Sequence, residues 1–271
     1  MSAAEILGKP LCALAFCWRL ERRDGVTIGL TSHDRALTID GLLYAATPGI
    51  TPSAILRGGG EQELTELQGA ISSAAISEAD LDAGRWDGAT LLLHLTEWTD
   101  PGVLWVELAR GEFGGIERSG AAYSVGLRSG LANVLERAVA PVTSATCRAA
   151  LGDRDCSVDL RRHQRIVSVS EVADEAVLCA GLVAGRYPFG RLRWLEGPNC
   201  GLVQPIVDQD GDTLFLSEPP AFPVTPGTRA LLTEGCDKRL ATCAGRFGNA
   251  VNFRGEPHLP GMDLLTRYPG S

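Results

Sequence analysis

The sequence predicts a mainly β protein with short helices, arranged as two β-rich domains of the antiparallel barrel or sandwich type. Three observations lead there. Turn signals are dense through the first hundred residues, and a second series of short strand-like runs begins past residue 160. The composition, 45% hydrophobic and 21% charged over 271 residues with 32 Gly and 15 Pro, is that of an ordinary globular chain. Domains typically run about 100–200 residues, so this length suits two, each able to bury a core.

At the N-terminus, the apolar stretch Leu11 to Phe16 follows Glu5 and Pro10. It lacks the basic leader and small-residue cleavage site of a signal peptide, so the chain is expected to start in the cytoplasm. Arg23-Asp24-Gly25, Asp40-Gly41 and Asp87-Gly88 punctuate the runs Val26 to Leu30, Ala36 to Ile39 and Leu42 to Ala45, which read as hairpins. Ser77, with Asp80 three residues on and Leu81 and Trp86 at helical spacing, predicts a short capped helix that Gly84 limits. Ala89 to Trp98, Val103 to Leu108 and two pieces separated by Gly120 and ending at Leu127 read as further strands, mostly antiparallel. Ser129 to Ala138 places Leu131, Val134, Leu135 and Ala138 on one helical face ahead of Pro141, which sets the domain boundary near residue 140.

Past that boundary, Arg165 to Glu171, Ala176 to Leu182, Gly190 to Leu195, Leu202 to Val207 and Thr213 to Leu216 read as the strands of a smaller barrel or sandwich. The tail from Phe247 onward mixes Asn, Gly and Pro, and needs packing or a partner to order it.

Charge narrows the function. With 25 Lys+Arg against 33 Asp+Glu the net charge is -8, the wrong sign for a general nucleic-acid binder. No run approaches the roughly 18 consecutive apolar residues of a membrane-spanning helix. Eight cysteines in a chain expected in a reducing compartment point to metal rather than disulfides.

Four of them form two pairs, Cys147 with Cys156 across eight residues and Cys236 with Cys243 across six, on either side of the second series of strands. Neither is a tight C-x-x-C knuckle, so spacing alone leaves a metal site and four unrelated buried thiols about equally open. Gly152, Asp153 and Gly235 favour the site, because they give loop-like backbone that can turn sulfurs inward and offer amide donors. Arg148, Arg154, Arg161 and Arg162 around the first pair, and Lys238, Arg239 and Arg246 around the second, would offset the charge of a four-thiolate centre. The remaining cysteines, Cys12, Cys17, Cys179 and Cys200, read as core fillers.

Other candidates are weaker. Ser32-His33-Asp34 reads as a polar turn, because consecutive strand residues face opposite ways and a catalytic triad converges in space. His163 and His258 read as loop residues rather than ligands. Asp208, Asp210 and Asp212 around Gly211 lack the twelve-residue loop and terminal Glu of a calcium site, and read as a hairpin turn. Trp86, Trp98 and Trp105 read as core residues, with an interface role as the alternative. No catalytic residues are expected.

Taken together, Cys147-x8-Cys156, Gly235-Cys236-Asp237-Lys238-x3-Thr242-Cys243, Phe247-Gly248-Asn249, Asn252-Phe253-Arg254-Gly255 and Pro257-His258-x-Pro260-Gly261-Met262-Asp263 resemble the phage tail-hub family of siphophages and gene transfer agents. Leu30-Thr31-Ser32-His33-Asp34-Arg35, Ile76 to Leu81 and Trp86-Asp87-Gly88-Ala89 extend the resemblance over nearly the whole chain. The combination is specific where no single piece is.

The resemblance implies a [4Fe-4S] cluster on Cys147, Cys156, Cys236 and Cys243, as in the related tail-tip protein of lambda-like phages with the same spacings. It also implies residues 1–140 as a β-rich hub domain forming a ring, and 141–271 as a small β domain with the cluster and an extended tail. The expected product is a non-enzymatic virion or gene transfer agent component, assembled in the bacterial cytoplasm. Its implied partners are two more copies in a homotrimer, a distal tail protein ring, a larger tail-tip or baseplate protein, and a cell-wall peptidase. DNA would only pass through the channel, without membrane insertion of the protein. Two alternatives use the same four cysteines: a soluble iron-sulfur redox enzyme or electron carrier, and a structural zinc protein. Nothing resembles the Cys-x3-Cys-x2-Cys run of radical enzymes.

Overall fold

The computed structural model describes residues 3–46, 65–69, 76–119, 122–128 and 142–258. The chain divides into two compact units, Met1–Val139 and Ala140–Ser271. The helix expected over Ser129 to Ala138 lies outside the described residues, as does the end of the tail motif from Pro260 to Asp263. Among the described residues, no helix is long and apolar enough to cross a membrane.

The first unit contains β1 (Leu14–Glu21), β2 (Thr27–Thr31), β3 (Leu37–Ile39), β4 (Leu42–Ala46), β5 (Thr65–Gly69), β6 (Thr90–Glu97), β7 (Trp105–Ser119) and β8 (Ala122–Arg128). They form one sheet in the order β3-β4-β2-β1-β6-β7-β8-β5. Strand β1 sits inside it, and its alternating side chains serve two cores. Trp18 and Leu20 join Leu91, Leu93 and Trp86 on one face, while Ala15 and Cys17 join Leu37, Ile39 and Tyr44 on the other. Both faces being covered, the strand reads as a continuous apolar run in sequence rather than an alternating one.

Asp40 and Gly41 both adopt positive φ, 49° and 78°, which is what a tight hairpin between β3 and β4 demands. The Asp24-Gly25 turn likewise closes β1 on β2, with the Arg22 N–H donating to the Val26 carbonyl at 2.8 Å. Asp87-Gly88 is different: it ends the turn after helix α2 (Glu78–Asp82), not a hairpin, with Asp87 N–H bonded to the Gly84 carbonyl. A further departure from the expected antiparallel pattern is the parallel pairing of β2 with β4, Gly29 opposite Tyr44. The predicted cap of α2 is present, Ser77 accepting from the Asp80 N–H at 3.1 Å. Such a cap stabilises by about 1 kcal/mol. One further short helix, α1 (Ala3–Leu7), precedes β1.

Of the tryptophans Trp86, Trp98 and Trp105, the first is core at 1% exposure. Trp98 is exposed and lies tilted against His33, and Trp105 is half-buried, stacked on His94 and edge-on to Tyr44. His33 belongs to a turn, its Nδ1 accepting from the Arg35 N–H at 3.1 Å. The core role expected of Cys12 and Cys200 is corrected: Cys12 is half-buried and Cys200 exposed, whereas Cys17 and Cys179 are fully buried.

The second unit is a closed barrel of β9 (Gln164–Ala173), β10 (Ala176–Cys179), β11 (Arg191–Trp194), β12 (Val203–Asp210), β13 (Thr213–Leu216) and β14 (Arg229–Thr233), in the ring order β10-β13-β12-β11-β14-β9. Closure leaves no open sheet edge. Inward positions recur every second residue, as in Leu192 and Trp194 on β11, Leu214 and Leu216 on β13, and Ala230 and Leu232 on β14. Trp194 is fully buried and its indole N–H donates to Gln204 Oε1 at 2.8 Å, which satisfies the polar end of the core's largest side chain. The aspartates around Gly211 form the β12–β13 hairpin, and the Asp212 carboxylate accepts the N–H groups of Gly181 and Leu182.

Strands β9 and β14 are antiparallel neighbours, with Gln164 opposite Thr233. The start of one and the end of the other therefore lie at the same end of the barrel. The chain enters β9 from the Cys147–Cys156 segment and leaves β14 into the Cys236–Cys243 segment. Topology thus brings the two pairs together.

Candidate metal centre

Four segments build the site. The loop carrying Cys147 and Cys156 leads through a 3-10 turn (Leu160–His163) into β9, and the loop after β14 carries Cys236. Helix α3 (Leu240–Gly245) carries Cys243, and a second 3-10 turn (Ala250–Asn252) follows it. Cys156 and Cys243 are buried, Cys147 and Cys236 half-buried.

All four cysteines line one small cavity that is partly open to solvent. Ala149, Leu151, Val158, Phe247 and Phe253 supply its apolar wall, and Lys238, Asn249 and Asn252 its polar groups. Burial pushes the Cys243 thiol up, and the nearness of Cys236, Cys147 and Cys156 pushes it the same way. Among the described residues, no three His, Cys, Asp or Glu side chains are gathered as a single metal ion would require.

Backbone bonds fix the arrangement. The Cys147 N–H donates to the Lys238 carbonyl at 2.8 Å, and the Lys238 ammonium donates to the Ala149 carbonyl, so the two cysteine loops are tied from both sides. Lys238 adopts φ 63°, a left-handed conformation unusual for a residue with a long side chain, two positions after Cys236. Asp153 folds the first loop by accepting the N–H groups of Ala150 and Cys156, both at 2.7 Å. Burial works against its ionisation, yet the backbone donors of Cys156, Ala150 and Asp155 hold the carboxyl below its usual range.

Two of the glycines near the site leave no room for a Cβ. A Cβ on Gly152, at φ +79°, would meet Leu160 Cγ at 2.4 Å. A Cβ on Gly235 would lie 1.7 Å from the Pro188 carbonyl oxygen and 2.6 Å from the Gly190 nitrogen. The segment that delivers Cys236 therefore runs in backbone contact with the 188–190 loop.

Of the seven cations expected to offset thiolate charge, only Lys238 lines the cavity. Arg148 is committed to Glu256, with contacts of 2.7 and 2.8 Å, and Arg246 donates to the carbonyls of Arg186, Gly235 and Gly185. Arg154, Arg161, Arg162 and Arg239 are exposed, Arg162 facing Asp159 at 3.9 Å. Their clustering in sequence reflects loop anchoring and solvation more than neutralisation of sulfur. His163 pairs with Glu234 at 3.1 Å and packs edge-on against Phe247, so it is not among the cavity's groups. His258 is exposed.

The side chains that sequence reasoning missed as site residues are Asn249, Asn252 and Phe253. They belong to the tail motif already noted, and the signal lay in asparagines and an aromatic closely following the last cysteine. Asn249 donates to the Cys156 carbonyl at 2.6 Å and accepts from Asn252 Nδ2 at 2.8 Å.

The Glu256 clamp carries a pH prediction. The Arg148 guanidinium and the Ser144 N–H hold the Glu256 carboxyl down at about 2, against 4.5 ordinarily. A lowered acid pKa contributes stability that is complete above the unfolded value and lost as pH falls through the folded one. The second unit is therefore expected to loosen as pH drops from 4.5 towards 2. Acid titration followed by circular dichroism should show this slope, and Glu256→Gln should flatten it; an unchanged slope in the variant would assign the transition elsewhere.

Comparison with known proteins agrees with the motifs. Residues 2–159 match the family described as baseplate hub protein, N-terminal attachment domain, and residues 185–263 match the family described as phage conserved hypothetical protein BR0599. Among solved structures, a chain in the virion of a native gene transfer agent (GTA) particle is 34% identical and superposes with a TM-score of 0.85, over 100% of this chain and 97% of that one. No curated protein matches. With the attachment-domain match spanning more than half the sequence and the second match covering much of the barrel, the chain belongs to the phage baseplate hub protein family.

Proposed function

We propose that this chain is a structural hub subunit in the tail of a phage or gene transfer agent particle, its barrel unit pinned by one [4Fe-4S] cluster on Cys147, Cys156, Cys236 and Cys243. The observation that carries the cluster reading is the convergence of four thiols, from loops before β9 and after β14, on one cavity. The family and the virion neighbour support the architectural role.

The placement of the thiols favours a cluster over zinc. With Zn–S near 2.3 Å, a tetrahedral zinc needs its sulfurs about 3.8 Å apart. The thiols here line one cavity but are not gathered around a single-ion position. An iron-sulfur cube spreads its ligands farther and suits an all-cysteine donor set. When bound, it would supply covalent cross-links between the two ends of the barrel's sequence. Closing that long loop converts ligation energy into folding energy.

In the particle the first unit forms the ring, as a homotrimer beneath the distal tail protein. The assembly joins the larger tip or baseplate protein and a cell-wall peptidase, and DNA passes through without being read. Anaerobic purification followed by metal and sulfide analysis tests the centre. Iron and acid-labile sulfide in equal amounts, with broad visible absorbance, are expected; zinc in their place, or neither, would overturn the cluster. Electron microscopy of particles with the chain labelled tests the location, and label anywhere but the tail tip would overturn the hub role.

A further inference from the structure

Hydrogen bonds reach the cavity's sulfurs unevenly. Asn249 Nδ2 lies 3.7 Å from Cys156 Sγ while also donating to the carbonyl of the same residue at 2.6 Å. The Arg254 N–H donates to Cys147 Sγ at 3.4 Å. Among the described residues, no comparable N–H is directed at the sulfurs of Cys236 or Cys243. One pair of sulfurs is thus served by donors and the other is not.

The donors are held firmly. Asn249 N–H bonds the Cys243 carbonyl at 3.0 Å, and the side-chain oxygen of Asn249 accepts from Asn252 Nδ2 at 2.8 Å, which fixes the amide with its NH2 towards Cys156. Arg254 is fixed by its carbonyl, which accepts the Arg148 N–H at 3.0 Å, beside the Arg148–Glu256 clamp. A single residue, Asn249, therefore links Cys156 through its side-chain amide to Cys243 through its backbone N–H.

We infer that Asn249 is a positioning residue that seats Cys156 and sets the reduction potential of the metal centre through its N–H···S contact; this rests on the cluster reading above. The physical basis is electrostatic. A donor aimed at a ligand sulfur stabilises the more negative, reduced state, so it raises the potential. Removing it should lower the potential without removing a ligand.

The test uses the full chain purified anaerobically, as wild type, Asn249→Leu and Asn249→Asp. Leucine approximates the shape without a donor; aspartate keeps the acceptor for Asn252, loses the NH2 and adds negative charge. Iron and sulfide are measured first, then the potential by spectroelectrochemical titration. The expected result is retained iron and sulfide in at least the aspartate variant, with a potential shifted negative and shifted further in aspartate than in leucine. Retained cluster at an unchanged potential would overturn the inference. Loss of iron from both variants would also overturn it, assigning Asn249 to the frame of the loop alone. Absence of iron and sulfide from wild type is a separate outcome, which fails the cluster reading itself.

Discussion

On the proposed [4Fe-4S] centre, replacing Cys236 by serine is expected to strip the protein of iron and sulfide and to abolish production of functional particles. Cys236 leads the second cysteine segment and follows directly on Gly235, whose backbone is locked against the 188–190 loop. A serine oxygen in that place is a far poorer ligand for a soft iron-sulfur centre than thiolate. With one corner of the proposed cluster lost, the loops before β9 and after β14 keep their packing and hydrogen bonds, such as Cys147 N–H to Lys238 and Asn249 to Cys156, but not the cross-link. The measurement pairs metal content of the purified chain with counts of infectious or transducing particles. Cys12→Ser, outside the centre and only half-buried, is the control and should change neither. Normal particles from the Cys236 variant would overturn the structural role of the cluster.

Gly235→Ala should be the most damaging conservative substitution in the barrel unit, costing about 3 kcal/mol, the upper part of the range for overpacking a close contact. Its new methyl would sit 1.7 Å from the Pro188 carbonyl oxygen. A side chain could rotate away, but two backbones have no rotamer to change, so one must move and carry Cys236 with it. Gly185→Ala separates this clash from simple backbone strain: Gly185 has φ +69° but nothing within 4 Å of its Cβ position. It should cost about 1 kcal/mol. Denaturant unfolding of the two variants decides the matter, and equal midpoints would show that the close approach has no energetic consequence.

The barrel strands were easiest to read where one face meets the core and the other meets solvent. Thr213–Leu216 appears with the expected ends, because Leu214 and Leu216 point inward between less buried neighbours. β14 escaped notice because Ala230, Leu231 and Leu232 are apolar in succession, which hides the alternation of its inward residues Ala230 and Leu232. β1 escaped for a related reason: Ala15, Cys17, Trp18 and Leu20 are all buried, so no alternation survives in the sequence. Helix α3 is six residues long with Gly at its end, and Arg239 gives it no side-chain cap, so local signals could not announce it.

The candidate centre divides in a similar way. Its cysteines and their loop glycines stood out from residue types and spacing, while the arginines around them suggested a charge balance that the folded loops do not use. Asp40-Gly41 and Ser77 show why some features are local: a positive-φ turn and a helix cap are decided by a few neighbouring residues. The parallel pairing of β2 with β4, the meeting of both cysteine pairs at one end of the barrel, and the grip of Asn249 on Cys156 depend on strand order and register. Spacing along a chain specifies which groups are available; only closure of the β9–β14 ladder brings distant ones within bonding reach, because the energy that selects that ladder comes from the whole barrel core rather than from the residues it unites.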